Sequence, residues 1–222
     1  MPRVDEEIKK DVVDQLYWDD RVDASDIKVK VDSGEVELSG TVPYYSTRRV
    51  AQNDSWNVLG VRALENRLRV DYPETVPVPS DAEIQANLID LFRLDPELDH
   101  SKITPTVESG RVRLEGEVNK LWKKAWVENL VEGAYGVTEI DNRITVLPTE
   151  SLVDTAIAED LQAALRRNIY VNEEEIDIKV QDGVVTILGT VDDWISARAA
   201  YNTALYTAGA TDVINKMVIA KK

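Results

Sequence analysis

The amino-acid sequence predicts an α+β fold of three tandem αββαβ domains, each a small mixed three-stranded sheet with two helices on one face. Two observations predict it. One unit of about 66 residues is written three times in constant register, so that position n of the first copy meets n+76 in the second and n+149 in the third. Within each copy the apolar spacing runs from helical to alternating, back to helical and back to alternating. The register aligns, without a gap, Asp5/Asp81/Asp154, Ile8/Ile84/Ile157, Ile27/Ile103/Ile176, Gly34/Gly110/Gly183, Gly40/Gly116/Gly189, Asn53/Asn129/Asn202, Gly60/Gly136/Gly209 and Asn66/Asn142/Asn215.

The first element of each unit is an amphipathic helix, because Ile8, Val12 and Leu16 recur four apart, as do Ile84, Leu88 and Phe92, then Ile157, Leu161 and Leu165. Ser80-Asp81-Ala82-Glu83 has the capping-box pattern, which sets the start of the second copy. Next comes a β-hairpin: Ile27 to Val31 and Val36 to Leu38 alternate apolar and polar around a turn. Ser33-Gly34, Ser109-Gly110 and Asp182-Gly183 place glycine where the turn needs a positive φ. A second helix follows, with Pro43, Asn119 and Asp192 as its expected opening residues and Gly60, Gly136 and Gly209 as its stops. A last strand, such as Thr138 to Val146, completes the unit, and a right-handed crossover from the second to the third strand lays both helices on one face.

The domains expected are 1–72, 81–147 and 148–222, with residues 73–80 as a linker. That linker carries three prolines and predicts a semi-rigid extended spacer. The second join, around Pro148, is shorter, so units two and three are expected to pack closely while unit one pivots. With 26 basic against 41 acidic side chains the formal charge is -15, which repels phosphate backbones and argues against nucleic-acid binding. The chain has no cysteine, hence no disulfide framework and no thiolate chemistry. No apolar leader precedes the first helix, which predicts a cytoplasmic address as the sequence stands, or a periplasmic one if a leader was removed from a longer precursor.

The aspartate opening helix one, the Ser-Gly-x-Val-x-Leu-x-Gly-x-Val run at Ser33 to Val42 and Ser109 to Val118, its counterpart at Asp182 to Val191, and Gly-Val before an asparagine-bearing strand together resemble the BON domain. The resemblance covers three copies and nearly the whole chain. It implies small αββαβ modules that attach to phospholipid or to envelope proteins, as in osmotically inducible periplasmic proteins, with no catalysis and no cofactor.

The candidate attachment residues lie where helix two starts. Lys120, Trp122, Lys123 and Lys124 form the one dense basic and aromatic stretch of an acidic chain, and lysine stems beside a tryptophan suit a headgroup layer. Trp126, in register with Val50 and Ala199, is expected in the core. Tyr44 and Tyr45, then Trp194 and Ile195, occupy the same place in the other copies. If the units line up side by side these form one attachment surface, and otherwise they are lids on three small cores. Asn66, Asn142 and Asn215 share parity with apolar neighbours and are expected to tie the last strand to a nearby loop or helix end. Acid runs after helix one, such as Glu173 to Glu175, lack calcium-ligand spacing and are expected to be solvated, with no metal. Lone His100 supports no hydrolase constellation.

Two functions from different classes follow. One is a non-enzymatic attachment protein on a phospholipid membrane surface or an envelope protein, linked to osmotic or general stress. The other is a cytoplasmic protein-interaction scaffold or chaperone-like binder, motivated by the missing leader and by a charge that disfavours anionic lipid.

Overall fold

The computed structural model describes residues 3–73, 75–149 and 152–220. Unit one runs α1 (Asp5–Trp18), β1 (Ile27–Asp32), β2 (Glu35–Val42), α2 (Tyr45–Trp56) and β3 (Ala63–Val70). Unit two runs α3 (Asp81–Leu94), β4 (Ile103–Glu108), β5 (Arg111–Val118), α4 (Leu121–Glu132) and a last strand in two pieces, β6 (Glu139–Asn142) and β7 (Thr145–Val146). Unit three runs α5 (Asp154–Arg166), β8 (Ile176–Gln181), β9 (Val184–Val191), α6 (Trp194–Leu205) and β10 (Asp212–Ile219). In every sheet the second strand is central, antiparallel to the first and parallel to the last.

The helical stripes do what their spacing predicts: Ile8, Val12, Leu16 and their counterparts through Leu165 are all at most 2 % exposed. Burial of each such side chain contributes about 1.5–3 kcal/mol before chain entropy is counted. The capping box at Ser80 is present, with the Ser80 amide donating to Glu83 Oε2 at 2.8 Å. Helix two starts one or two residues later than expected, with Tyr44, Lys120 and Asp193 at its caps. Only Asp193 of the three caps with its side chain, accepting from the Ser196 amide at 2.9 Å, so the first turn in the other two copies is held by packing.

The repeated aspartates act across the fold. Asp5 accepts the amides of Ser33 and Gly34 at 2.7 and 2.9 Å, Asp81 those of Ser109 and Gly110 at 2.8 and 2.9 Å, and Asp154 those of Asp182 and Gly183, both at 2.9 Å. A hairpin turn with positive φ at both central residues leaves two amides pointing outward, and one carboxylate gathers both. That clamp binds the start of helix one to the tip of the sheet in every unit.

The three units close on one another in cyclic order. At the first joint the start of α2 meets the end of α4: Arg49 pairs with Glu132 at 2.7 Å and donates to the Asn129 side-chain oxygen. At the second the start of α4, with Leu121 and Trp122, lines a groove with the turn after α6, Tyr206 to Ala210. At the third Trp194, opening α6, stacks on Trp56, closing α2, with centroids 4.2 Å apart and planes 10° off parallel. In repeat register this is one contact made three times, helix-two start on the helix-two end of the next unit. Heterologous contacts that run one to two, two to three and three to one close a ring. Unit one is therefore held at both ends and does not pivot as the linker suggests, because side chains of α2 reach both partners. Its apolar core stays its own, whereas buried side chains of units two and three form one continuous cluster.

Candidate functional site

Ring closure decides what the helix-two starts can do. Tyr45 is half-buried against the cluster of units two and three, with the Arg48 guanidinium 5.7 Å from its ring centre. Tyr44 is 39 % exposed and meets Tyr72 and Tyr135 at 5.9 and 6.2 Å. Trp194 is half-buried in its stack, with Ile195 exposed beside it. The candidate residues are thus at equivalent places, but those places are the three joints, and Tyr45 and Trp194 direct their rings into neighbouring units.

The basic stretch divides likewise. Lys120 is exposed. Lys123 is held, its side chain 16 % exposed, by the Glu97 carbonyl and by the Glu97 carboxylate at 3.6 Å, and its ammonium lies 5.4 Å from the centre of the Trp122 ring. Lys124 is half-buried, and its carbonyl accepts from Asn142 Nδ2 at 3.2 Å. Trp126, expected in the core, is 41 % exposed and donates its indole N–H to Asp95 at 2.7 Å. Val50 and Ala199 are themselves only half-buried, so this register position lies at the edge of the core in every copy, and the larger indole lies outward over the loop.

Of the strand asparagines, Asn66 and Asn142 make the same bridge: Nδ2 donates to the Arg48 or Lys124 carbonyl of helix two, and Oδ1 accepts from the amide two residues on. Asn215 keeps only the second bond, to the Met217 amide at 2.9 Å, and is exposed. In the other copies the amide also donates to Gln52 or Glu128 of helix two, and the corresponding register position in α6 is Tyr201.

Two features go beyond the sequence reading. The first is a buried carboxylate pair in unit one, and one member, Asp19, belongs to the acid run after helix one that is expected from sequence to be solvated but is buried because Arg21 pairs with it. Asp19 and Asp54 are 7 % and 5 % exposed, and Asp54 Oδ2 has no hydrogen-bond partner among the described residues. Hydrogen bonds from Arg21 hold the Asp19 carboxyl well below the usual range. Burial, with the Asp19 charge next, pushes Asp54 up to about 6. A carboxyl that is more basic folded than unfolded stabilises the fold below the unfolded value and loses that contribution as pH rises through the folded one. Between about pH 4 and 6 only Asp54 titrates of the two, so unit one is expected to lose about 1 kcal/mol over that window, the full shift being discounted for solvent access. Asp54→Asn is expected to flatten this slope in denaturation midpoints measured across it. Parallel slopes in the two proteins would refute the assignment.

The second feature is a set of apolar tips at the foot of helix one. Tyr17 and Trp18 end α1 at 66 % and 77 % exposure, Leu94 ends α3 at 83 %, and Ile169 and Tyr170 follow α5 at 88 % and 58 %. Each follows the last buried residue of its helical stripe by one to five positions. The signal was in the sequence as large apolar residues off the buried face, but off-face residues are common and single ones carry no meaning. Trp18 and Leu94 share one register position; in the third copy that position is Arg167, and the exposed apolar residues stand two and three places further on at Ile169 and Tyr170, so what recurs in all three units is an apolar tip at the foot of helix one.

Among the described residues no cluster of three or more histidine, cysteine or acidic side chains could hold a metal ion, and no helix is long and apolar enough to cross a membrane. The BON domain family matches the chain three times, over residues 4–72, 80–148 and 153–221. No curated protein matches the chain. Two solved structures of low similarity are CdsD, a structural protein of the type III secretion system of Chlamydia trachomatis, and the periplasmic domain of the type III secretion inner-membrane protein PrgH from S. typhimurium. CdsD is 13 % identical over 96 % of this chain and 92 % of its own, with a TM-score of 0.28. PrgH is 15 % identical over 86 % of this chain and 92 % of its own, with a TM-score of 0.21. At those scores neither likeness carries an argument.

Proposed function

This chain belongs to the BON domain family, with three copies of the domain in series, and we propose that it is a non-enzymatic attachment protein that docks on a phospholipid surface in osmotic or general stress. BON domains are generally associated with phospholipid binding and with osmotic-stress proteins. The observation that carries the reading is the exposed apolar tip at the foot of helix one in every unit, Trp18, Leu94 and Ile169. Trp18 and Leu94 hold one register position and Ile169 lies two residues past the third, Arg167, so in a cyclic arrangement of the units the three tips lie at the same end of the ring and can engage one surface together. Each tip is weak alone, and joining three in one body raises the effective concentration of the second and third contacts.

The surroundings of the tips select the lipid. Asp20, Glu97 and Glu173 to Glu175 are exposed in the same loops, and the whole chain carries -15, so anionic headgroups are repelled and zwitterionic ones preferred. Flotation with phosphatidylcholine vesicles is expected to recover the chain. Combined Trp18→Glu, Leu94→Glu and Ile169→Glu is expected to cut recovery at least about tenfold, since each buried aromatic or aliphatic tip is worth on the order of 1 kcal/mol or more. Trp122→Ala with Lys123→Glu tests the helix-two starts in the same assay. Loss through that pair alone would move the attachment there, and absence of flotation at low salt would end the lipid reading. The acidic charge favours a second reading, a protein-interaction scaffold, which a dominant protein partner in native lysate, with no lipid recovery, would support.

A further inference from the structure

The two joints bridged by short connections are equivalent in repeat register but filled differently. In the joint of units one and two, three tyrosine rings pack together, Tyr72 lying 5.9 Å from Tyr44 and 5.0 Å from Tyr135. The Tyr72 hydroxyl accepts from the Gly136 amide at 2.9 Å and donates to the Val137 carbonyl at 3.0 Å. One phenol thereby satisfies an amide and a carbonyl that the stop of helix two leaves outside the sheet ladder.

In the joint of units two and three those ring positions hold Lys120, Pro148 and Ala208. The backbone groups corresponding to the partners of the Tyr72 hydroxyl are the Gly209 amide and the Ala210 carbonyl, and neither has a hydrogen-bond partner among the described residues. In place of the rings is a groove of about 380 Å³, which Trp122, Leu152 and Tyr206 also line. That volume falls within the range of small-ligand sites. Lys120 at its rim is exposed and forms no salt bridge among the described residues.

We propose that this groove binds a tyrosine side chain carried by a partner peptide, with an acidic residue next to the tyrosine on Lys120. The occupant is argued from the sister joint, where the chain's own Asp71-Tyr72-Pro73 lies without regular secondary structure and sets its phenol on the equivalent backbone pair. A phenol both donates and accepts, which is what the Gly209 amide and Ala210 carbonyl together require. The Tyr44 ring of the sister joint is replaced by the Lys120 ammonium, so one apolar contact becomes a charged one and calls for an anion beside the ring. The groove does not include the helix-one tips, so binding here is independent of membrane docking.

The test is an NMR titration of the full ¹⁵N-labelled chain with acetyl-Asp-Tyr-Pro-amide, its Phe counterpart and its Asn-Tyr-Pro counterpart, each to about 5 mM. The Gly209 amide, one of ten glycine amides, is the reporter. A saturable downfield shift is expected with a Kd at or below about 1 mM for the Asp-Tyr-Pro peptide, and binding at least about tenfold weaker for the Phe peptide, because the unpaired backbone groups reject a ring without a hydroxyl. Lys120→Glu is expected to weaken the Asp peptide about fivefold and leave the Asn peptide unchanged. Pro148→Tyr is expected to fill the groove as Tyr72 fills its sister and to abolish binding while the unfolding midpoint holds or rises. Equal affinity for Tyr and Phe peptides, unchanged binding to the Pro148→Tyr chain, or no saturable shift would each overturn the proposal.

Discussion

Replacing Gly116 by alanine is expected to unfold the middle domain under conditions in which the parent chain is native. Gly116 lies opposite Ile103 in the antiparallel ladder at φ +126, a region that side chains avoid, and a Cβ there would stand 2.0 Å from the Lys102 carbonyl oxygen. Two costs add. The backbone strain alone is about 1–3 kcal/mol, and separating the hairpin strands to admit the methyl breaks ladder bonds worth about 1 kcal/mol each. A total above about 4 kcal/mol belongs to the exceptional class and is comparable to the whole stability of a domain this small. Gly133→Ala is the internal control. Gly133 closes α4 with φ -83, and its Cβ would meet nothing nearer than the Leu130 carbonyl at 3.7 Å. There alanine is expected to be neutral or to stabilise by up to about 1 kcal/mol, because it restricts the unfolded chain. Urea denaturation followed by circular dichroism separates the two. A Gly116→Ala chain that unfolds with the parent's midpoint would mean that the strands part without cost, and the same test applies at Gly40 and Gly189, whose Cβ atoms would also stand 2.0 Å from a carbonyl oxygen.

Truncation of Trp56 or Trp194 to alanine is expected to open the ring. Short connections link unit one to two and unit two to three, but nothing covalent joins three to one, so closure there rests on side chains. The Trp56 and Trp194 rings are the large contact at that joint, parallel within 10° and both half-buried. Either substitution is expected to cost about 1–3 kcal/mol, and a double-mutant cycle to return a coupling of about 0.5–1.5 kcal/mol. The global readout is the radius of gyration by small-angle X-ray scattering, which rises when unit three swings away from unit one. Circular dichroism stays that of folded units, because the cores of the domains do not depend on this stack. If scattering were identical for the parent and both variants, the third contact would not be what closes the molecule. Opening would also disperse the three helix-one tips, so vesicle flotation of Trp194→Ala links this joint to the proposed attachment.

Much of each domain was legible in the sequence, and the residues show why. The stripe from Ile8 to Leu16, the glycines of the hairpin turns and the Ser80 capping box each encode a structure within a few residues of themselves, where chain connectivity limits the alternatives. Asp5, Asp81 and Asp154 stood in the repeat register from the start. Their function did not show, because the amides they hold lie 28 and 29 residues away along the chain. Trp126 misled for a different reason. Register equates positions but not burial: Val50 and Ala199 are only half-buried, and the indole at that edge position lies outward and takes Asp95 as its partner. The asparagine bridge recurs in two copies and lapses in the third, since it depends on the helix residue opposite as well as on the amide.

By itself the sequence determined three αββαβ domains, their helical and strand faces and the glycines on which their turns depend. These follow from periodicity and backbone sterics, which act over a few residues and repeat in every copy. Only the tertiary structure decided that the domains close into a ring, that Tyr45 and Trp194 lie in its joints, and that one joint is filled by tyrosines while its sister holds a groove. Those outcomes depend on the placement of whole domains, which brings together side chains as distant in sequence as Trp56 and Trp194, and no local pattern records such a meeting.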